Sequence, residues 1–258
     1  MSITHITMTH TSNDQIKWID YHCHCLPAID QDGTSDCDEA ARIIIGLADQ
    51  GVVKIYATPH FSLHDESPES FNVRRAIAYE RLCAHSLAVK FPQIVLGAEI
   101  NVQRGLSDSD LSPILSGSKI ALFELPYFKC KRWMIDEIEN VVYQYNVIPM
   151  IAHIERYSHI DQMLIEALLS LENVVFQVNC NAFNIYDSLK FLTKLSKSGC
   201  NFVFGSDAHN IVSRPPNFDI ISSLYNQKGF LINRKRAKAS QVFKQMINFQ
   251  NQLESICS

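Results

Sequence analysis

The chain has 258 residues, 47% of them hydrophobic, and a formal net charge of −4 at neutral pH. It is long enough to bury one large core or two smaller ones, and its slightly acidic balance argues against a broad nucleic-acid-binding surface. No apolar run reaches the roughly 18 residues that a membrane span needs, so we expect no membrane insertion. The eight cysteines have no CxxC spacing and no secretion signal precedes them, which predicts reduced thiols in a cytoplasmic protein.

Short runs of β-branched and aromatic residues alternate with longer amphipathic segments along the chain. Residues 1–15 are polar and are predicted to form a flexible tail, followed by a single domain over residues 16–258 because no linker-like stretch divides them. The predicted strands are 16–22, 52–58, 93–99, 119–125, 147–153, 173–179 and 201–206. The predicted helices are 36–50, 71–91, 132–145, 160–171 and 188–199, and two segments, 217–227 and the C-terminal helical segment 235–253, follow the last strand.

This alternation is typical of an α/β protein whose parallel strands are joined by right-handed crossovers. Seven strands with helices outside them favour a TIM-like barrel with an incomplete or distorted eight-fold plan. An open, doubly wound sheet is the alternative. In a barrel, reactive residues gather at the carboxyl ends of the strands, and that prediction can be compared with the sequence.

Histidines and acids do follow the predicted strands. His22 and His24 end the first strand, and residues two apart on a strand point to the same side, so both imidazoles can bind one ion. The later strand ends carry, in chain order, His60, Glu99, Glu124, His153, Asp207 and His209. Mixed imidazole and carboxylate ligands suit Zn, Mn, Fe or Ni better than calcium. Because there are more ligands than one tetrahedral ion needs, we predict a cluster of two or three ions, bridged by a carboxylate such as Glu99.

The ordered motifs of the chain resemble those of the PHP (polymerase and histidinol phosphatase) superfamily. They are His22-x-His24, Leu26-Pro27, Asp32-Gly33, Ala57-Thr58-Pro59-His60, Gly97-x-Glu99, His153-x-Glu155-Arg156-Tyr157 and Gly205-Ser206-Asp207-Ala208-His209-Asn210. Within the superfamily, the chain looks most like the bacterial manganese-dependent protein tyrosine phosphatases of capsule and exopolysaccharide operons. The resemblance spans roughly residues 18 to 215.

The resemblance implies a distorted (β/α)7 TIM-like barrel, the PHP fold, that holds a cluster of Mn²⁺ ions, with Fe or Zn as other candidates. It implies that the metal ligands are His22, His24, Asp32, His60, Glu99, His153, Asp207 and His209. Glu124 matches an active-site acid of the family, and Arg156 and Arg214 match its phosphate-binding arginines. The loop after the first strand departs from the family pattern by an apparent insertion, which leaves Asp30 and Asp32 as alternatives; we favour Asp32, beside Gly33.

The residues by themselves support the same chemistry. Metal ions can activate water for attack on a phosphomonoester, and planar guanidinium groups can neutralise its equatorial oxygens. The resemblance implies that the substrate is a phosphotyrosine protein, the tail of a tyrosine kinase that controls polysaccharide export. Two alternatives stay open: a histidinol-phosphatase-like enzyme that acts on a small metabolite, and a non-catalytic barrel with structural metal.

Overall fold

The computed structural model describes residues 17–115, 118–126, 130–159, 162–226 and 234–257. The predicted tail, residues 1–15, lies outside them. Within these ranges the strands are β1 (Trp18–Cys23), β2 (Val52–Ala57), β3 (His60–Phe61), β4 (Gln93–Leu96), β5 (Glu99–Asn101), β6 (Ile120–Glu124), β7 (Ile148–Ile151), β8 (Val175–Asn179) and β9 (Asn201–Gly205). The α-helices are α1 (Cys37–Asp49), α2 (Pro68–Cys83), α3 (Ser112–Leu115), α4 (Arg132–Tyr145), α5 (Gln162–Leu169), α6 (Tyr186–Ser196), α7 (Phe218–Asn226) and α8 (Arg234–Cys257). Short 3-10 helices cover Ala88–Lys90, Ile154–Tyr157 and Cys180–Asn184.

The strands form two parallel sheets, in the orders β1-β2-β4 and β3-β5-β6-β7-β8-β9. The predicted α/β class with parallel strands is therefore confirmed. The strands predicted at 52–58 and 93–99 end at Ala57 and Leu96, and after a short break each is followed by a further short strand, β3 and β5. Pro59, which has no N–H to donate, interrupts the first, and the second breaks beside it at Gly97. The two segments remain paired across the break, because Gly97 N donates to Ala57 O at 2.8 Å and Glu99 N donates to Pro59 O at 2.9 Å.

Helices α1, α4 and α5 lie within two residues of their predicted ends, and α4 matches its predicted range. The predicted helix 71–91 was wrong at both ends. Helix α2 begins at Pro68 because the Ser67 hydroxyl caps it by accepting a hydrogen bond from Ser70 N at 3.2 Å, and proline is favoured in the first turn. It ends at Cys83, and Ala88–Lys90 forms a separate turn.

Two apolar clusters lie on opposite faces of the sheets, because successive residues of a strand alternate between faces. Phe123, Ile151, Phe176 and Phe204 pack into the larger cluster, which the helices also line. Leu122, Met150, Val175 and Val203 pack together in the smaller one. Leu253 of α8 completes this smaller cluster.

Helix α8 contacts the amino-terminal end of the strands. Gln250 Nε2 donates to Lys17 O at 3.1 Å, just before β1, and Glu254 Oε2 pairs with Lys54 Nζ at 2.8 Å. None of the helices in the described ranges is both long and apolar enough to cross a bilayer.

At the opposite, carboxyl end, the chain after β9 runs beside the end of β1. Asp207 N donates to His22 O at 2.7 Å, and His24 N donates to Ala208 O at 2.9 Å. These two bonds connect the outer strand of one sheet to the outer strand of the other. They also bring two predicted ligand-bearing segments, separated by more than 180 residues in the chain, into direct contact.

Candidate metal centre

The predicted ligands lie at the carboxyl ends of the strands. His22 lies within β1, and His60 and Glu99 follow the ends of β2 and β4, as the first residues of β3 and β5; the predicted catalytic acid Glu124 ends β6. The other predicted ligands, His24, Asp32, His153, Asp207 and His209, follow β1, β7 and β9 in the chain. Because parallel strands end at one edge, side chains that are far apart in sequence meet there.

Glu99 is the carboxylate at the middle of this group, and it is almost fully buried. Its Oε2 lies 3.1 Å from each of three ring nitrogens, Nε2 of His22, Nε2 of His24 and Nδ1 of His60. Its Oε1 lies 2.9 Å from Nε2 of His153. One carboxylate therefore contacts four histidines, which is the arrangement expected of a bridging ligand.

Asp207 provides a second buried carboxylate, and its two oxygens face different partners. Oδ1 lies 3.6 Å and 3.7 Å from Nε2 of His22 and His24, yet it has no hydrogen-bond partner among the described residues. Oδ2 pairs with the guanidinium groups of Arg156 and Arg214. A buried oxygen without a partner, aimed at two imidazoles, is what a metal ligand would leave unsatisfied.

The ring nitrogens themselves point to a cation. Asp30 Oδ2 lies 2.9 Å from His24 Nδ1 and can only accept when ionised, so Nδ1 carries the hydrogen of the neutral ring and Nε2 carries a lone pair. That Nε2 lies 3.0 Å from Nε2 of His22 and 3.1 Å from Glu99 Oε2. Three sets of residues could each bind one metal ion, because the potential ligand atoms within a set all lie within 4.8 Å of one another. The sets are His22, His24 and Glu99; His24, His60 and His209; and His60, Glu99 and Glu124. The sets share members, so the residues fit adjacent ions.

The electrostatics agree with this interpretation. Although burial lowers the pKa of His22, the carboxylates of Glu99 and Asp207 raise it to about 10. Burial works to raise the pKa of Glu99, but His22 and hydrogen bonds from His153 hold it well below its usual range. Burial, reinforced by His24, lowers the pKa of His209 to about 2. The carboxylates thus favour a positive charge at His22, which a metal ion bound to the neutral ring would supply in place of a proton, and burial favours the neutral form of His209.

The structure separates the roles of the two loop acids. Both oxygens of the buried Asp30 side chain are used, one by His24 Nδ1 and the other by His60 N, which donates to it at 2.9 Å. Asp32 is 57% exposed, and its oxygens lie 3.5 Å from His209 Nε2 and 3.9 Å from His60 Nε2. Asp32 thus faces the Nε2 atoms of His60 and His209, whereas Asp30 binds Nδ1 of His24 and the backbone N–H of His60.

The three predicted catalytic residues border the centre and are partly exposed. Glu124 Oε1 lies 3.4 Å from His153 Nε2. Arg214 Nη1 donates to His209 Nε2 at 2.8 Å, while its Nη2 and that of Arg156 reach Asp207. The side chains of Arg156 and Arg214 are 37% and 32% exposed, so both guanidinium groups are open to a ligand arriving from solvent.

Two of the predicted metal ligands have an uncommon backbone conformation. His153 has φ 34° and Asp207 has φ 53°, both in the left-handed region that non-glycine residues seldom adopt. Such conformations cost on the order of 1–3 kcal/mol each and cluster at functional sites. Here they turn the chain sharply after β7 and after β9, so that these side chains reach the centre.

Sequence reasoning missed Gln177 of β8 and left the role of Asn179 open. Both are buried among the predicted ligands: Gln177 Oε1 lies 2.9 Å from His22 Nδ1, and Asn179 Nδ2 donates to Asp207 Oδ2 at 2.8 Å. The available signal was an amide within the apolar run Val174–Val178, two residues before Asn179 and therefore on the same face of the strand.

The fold and the site together define an α/β protein in which histidines and carboxylates that could hold metal ions gather at the carboxyl ends of the parallel strands. The family model for capsular polysaccharide synthesis proteins, CpsB/CapC, matches residues 18–235. The chain belongs to this family.

The chain is similar to two tyrosine-protein phosphatases and to one solved structure. Tyrosine-protein phosphatase YwqE of Bacillus subtilis (strain 168) is 30% identical over 220 residues, which cover 80% of this chain and 82% of that protein. Tyrosine-protein phosphatase CpsB of Streptococcus pneumoniae is 27% identical over 234 residues, covering 81% and 92%. A crystal structure from work on YwqE and CpsB, called unique metal-dependent tyrosine phosphatases, matches with a TM-score of 0.66 and 24% identity, covering 89% of this chain and 94% of that one. This last match shows a shared fold.

Proposed function

We propose that this protein is a metal-dependent protein tyrosine phosphatase. The observation that carries the proposal is Asp207, which faces two imidazoles with one oxygen and holds two partly exposed arginines with the other. Planar, cationic guanidinium groups, which suit phosphate oxygens, therefore lie directly beside the candidate metal centre. The names of the two curated relatives, both tyrosine-protein phosphatases, support the same activity.

The residues divide the work as follows. We propose as metal ligands His22, His24, Asp32, His60, Glu99, His153, Asp207 and His209. When bound, the metal ions would lower the pKa of water toward neutrality and neutralise phosphate oxygens. Arg156 and Arg214 orient the phosphate by binding its oxygens in a bidentate manner. Glu124, at the edge of the centre, donates a proton to the leaving oxygen, and a tyrosine phenolate, with a pKa near 10, needs this help less than an alkoxide does.

Several finer features belong to the same proposal. We infer that Mn²⁺ is the preferred ion, in a cluster of two or three, since the donors mix imidazoles and carboxylates in overlapping groups. We infer that the two sheets form one distorted (β/α)7 barrel within a single domain, which the backbone bonds between the ends of β1 and β9 support. A cytoplasmic location is consistent with the seven described cysteines, all free thiols.

The proposed substrate is phosphotyrosine on the tail of a bacterial tyrosine kinase that regulates capsule or exopolysaccharide synthesis. Membership of the capsular polysaccharide synthesis family supports this biological setting. Comparing kcat/KM for a phosphotyrosine peptide and for histidinol phosphate tests the choice. A preference of about a hundredfold for the small metabolite would favour the histidinol-phosphatase-like alternative instead.

Metal dependence is tested by chelation. Protein stripped with EDTA should not hydrolyse p-nitrophenyl phosphate, and added Mn²⁺ should restore turnover. The variant His153→Ala should lose metal and activity, whereas His85→Ala, a histidine that pairs with Asp38 far from the centre, should keep both. Turnover without metal would contradict the proposal. Wild-type protein that binds Mn²⁺ but cleaves no phosphoester would identify a non-catalytic metal protein.

A further inference from the structure

Strand β8 contributes no residue to the proposed metal ligands, yet two of its side chains contact those ligands. Gln177 is completely buried and Asn179 is 2% exposed. Both follow Val175 at intervals of two, so they share its face of the strand and continue the smaller apolar cluster toward the metal centre. A buried amide at the edge of an apolar cluster needs hydrogen-bond partners, and the partners of these two amides include the proposed metal ligands.

The orientation of the Gln177 amide is determined by a backbone group. His153 N, which can only donate, lies 2.7 Å from Gln177 Oε1, so this atom is the carbonyl oxygen. The same oxygen lies 2.9 Å from His22 Nδ1, and two acceptors do not bond to each other, so Nδ1 carries the hydrogen. In the neutral ring, the lone pair of His22 is then on Nε2, which faces Glu99 and His24.

The other end of the same amide sets a second ligand. Gln177 Nε2 donates to Asn179 Oδ1 at 2.9 Å, so Asn179 must present its Nδ2 hydrogens to Asp207 Oδ2 at 2.8 Å. This contact, with the two arginines, directs the remaining oxygen of Asp207 toward the imidazoles. One backbone N–H therefore fixes two amide orientations, one histidine tautomer and one carboxylate.

The packing leaves Gln177 little room to turn. Gly205 of β9 lies against it, and a Cβ at this position would meet Gln177 Nε2 at 2.4 Å and His22 Cβ at 2.7 Å. The Gln177 amide and the Cβ of His22 therefore occupy the space that a side chain on β9 would take. Only glycine at this position allows both groups to stay in place.

We propose that Gln177, acting through Asn179, is a positioning residue that sets the affinity of the centre for metal by fixing the His22 tautomer and the Asp207 carboxylate. The inference rests on the proposed metal centre. Groups that hydrogen-bond metal ligands in this way typically change metal affinity by about 10- to 100-fold when they are removed.

The test compares two buried glutamines by titrating metal-free protein with Mn²⁺ and detecting free Mn²⁺ by electron paramagnetic resonance. Gln177→Met keeps the length of the side chain but removes both hydrogen-bonding ends, and its Kd for Mn²⁺ should rise about 10- to 100-fold. Gln250→Met is the matched control, because Gln250 is 1% exposed and bonded to backbone groups at the opposite end of β1. It should lower the unfolding temperature and leave the Kd unchanged.

Two further variants sharpen the result. Gln177→Glu keeps acceptors for His22 and His153 and should bind Mn²⁺ more tightly than Gln177→Met. Asn179→Ala, which changes a smaller volume, should raise the Kd about tenfold even if Gln177→Met does not fold. Equal Mn²⁺ affinity in wild type, Gln177→Met and Asn179→Ala would overturn the inference and leave the phosphatase proposal intact. A wild type that binds no Mn²⁺ would instead contradict the metal centre itself.

Discussion

Replacing Gly205 by alanine measures how tightly the interior beneath the metal centre is filled. The added Cβ would lie 2.4 Å from Gln177 Nε2, 2.9 Å from Gln177 Cδ and 2.7 Å from His22 Cβ. All three distances are shorter than 3.0 Å, the closest approach that Cβ atoms normally make. His22 Cβ cannot retreat, because it is attached to a buried strand whose backbone is bonded to Asp207. The Gln177 amide therefore has to move and lose contact with His22 or His153.

The expected cost follows from overpacking a closed interior, which destabilises a fold by about 1–3 kcal/mol. In domains of this size, each kcal/mol lowers Tm by about 2–4 °C, so Gly205→Ala should unfold between about 2 and 12 °C below wild type. The displaced amide should also raise the Kd for Mn²⁺ by about tenfold.

Thermal unfolding in EDTA, followed by circular dichroism, measures the stability without a contribution from bound metal. Gly46→Ala is the control: its Cβ would lie 3.2 Å from Pro216 Cγ, and alanine gains about 1 kcal/mol over glycine within a helix. This control should unfold at or above the wild-type temperature. If Gly205→Ala also unfolds there and binds Mn²⁺ normally, the packing argument for Gln177 is refuted.

Four further substitutions address the site and the fold. Glu124→Gln should lower kcat about 100-fold for an alkyl phosphate and only a few-fold for p-nitrophenyl phosphate, because nitrophenolate leaves without a proton; equal losses would argue against an acid role. Asp32→Asn should weaken Mn²⁺ binding at an unchanged Tm in EDTA, whereas Asp30→Asn should cost about 1–3 kcal/mol in that assay, because its amide would place a donor against a buried donor. The reverse pattern would make Asp30 the loop ligand. Glu254→Gln should lower stability by about 1 kcal/mol through its lost ion pair with Lys54 and leave Mn²⁺ affinity unchanged; a change in Kd would show that the two ends of the strands are coupled.

The fold class could be predicted because its evidence is local in sequence. The alternation of strand-like and helix-like segments is visible in every window of the chain, and α4 was predicted to the residue. The end of β2 was predicted to within one residue, whereas the short strand β3 beyond Pro59 was not predicted. The start of α2 was signalled by Ser67 and Pro68, a capping residue followed by a first-turn proline.

Only the part of the site whose residues lie at strand ends could be predicted from the sequence. His22, His60 and Glu99 meet because parallel strands end at one edge. Which loop acid faces the metal donors depends on the path of the loop, where Ala28 has φ 54°, and the sequence does not specify that turn. The role of Gln177 depends on the backbone N–H of His153, 24 residues away, and no pattern within one strand records such a contact.

The left-handed backbones of His153 and Asp207 have an evolutionary consequence. At both positions glycine would be conformationally cheaper, and changes toward glycine would relax the chain by up to about 1–3 kcal/mol. Drift under selection for stability alone would tend to remove these two side chains. Directed evolution of a more stable variant therefore requires a screen for turnover at every round. Substitution of His153 or Asp207 by glycine would raise the thermal stability but remove a side chain that catalysis needs.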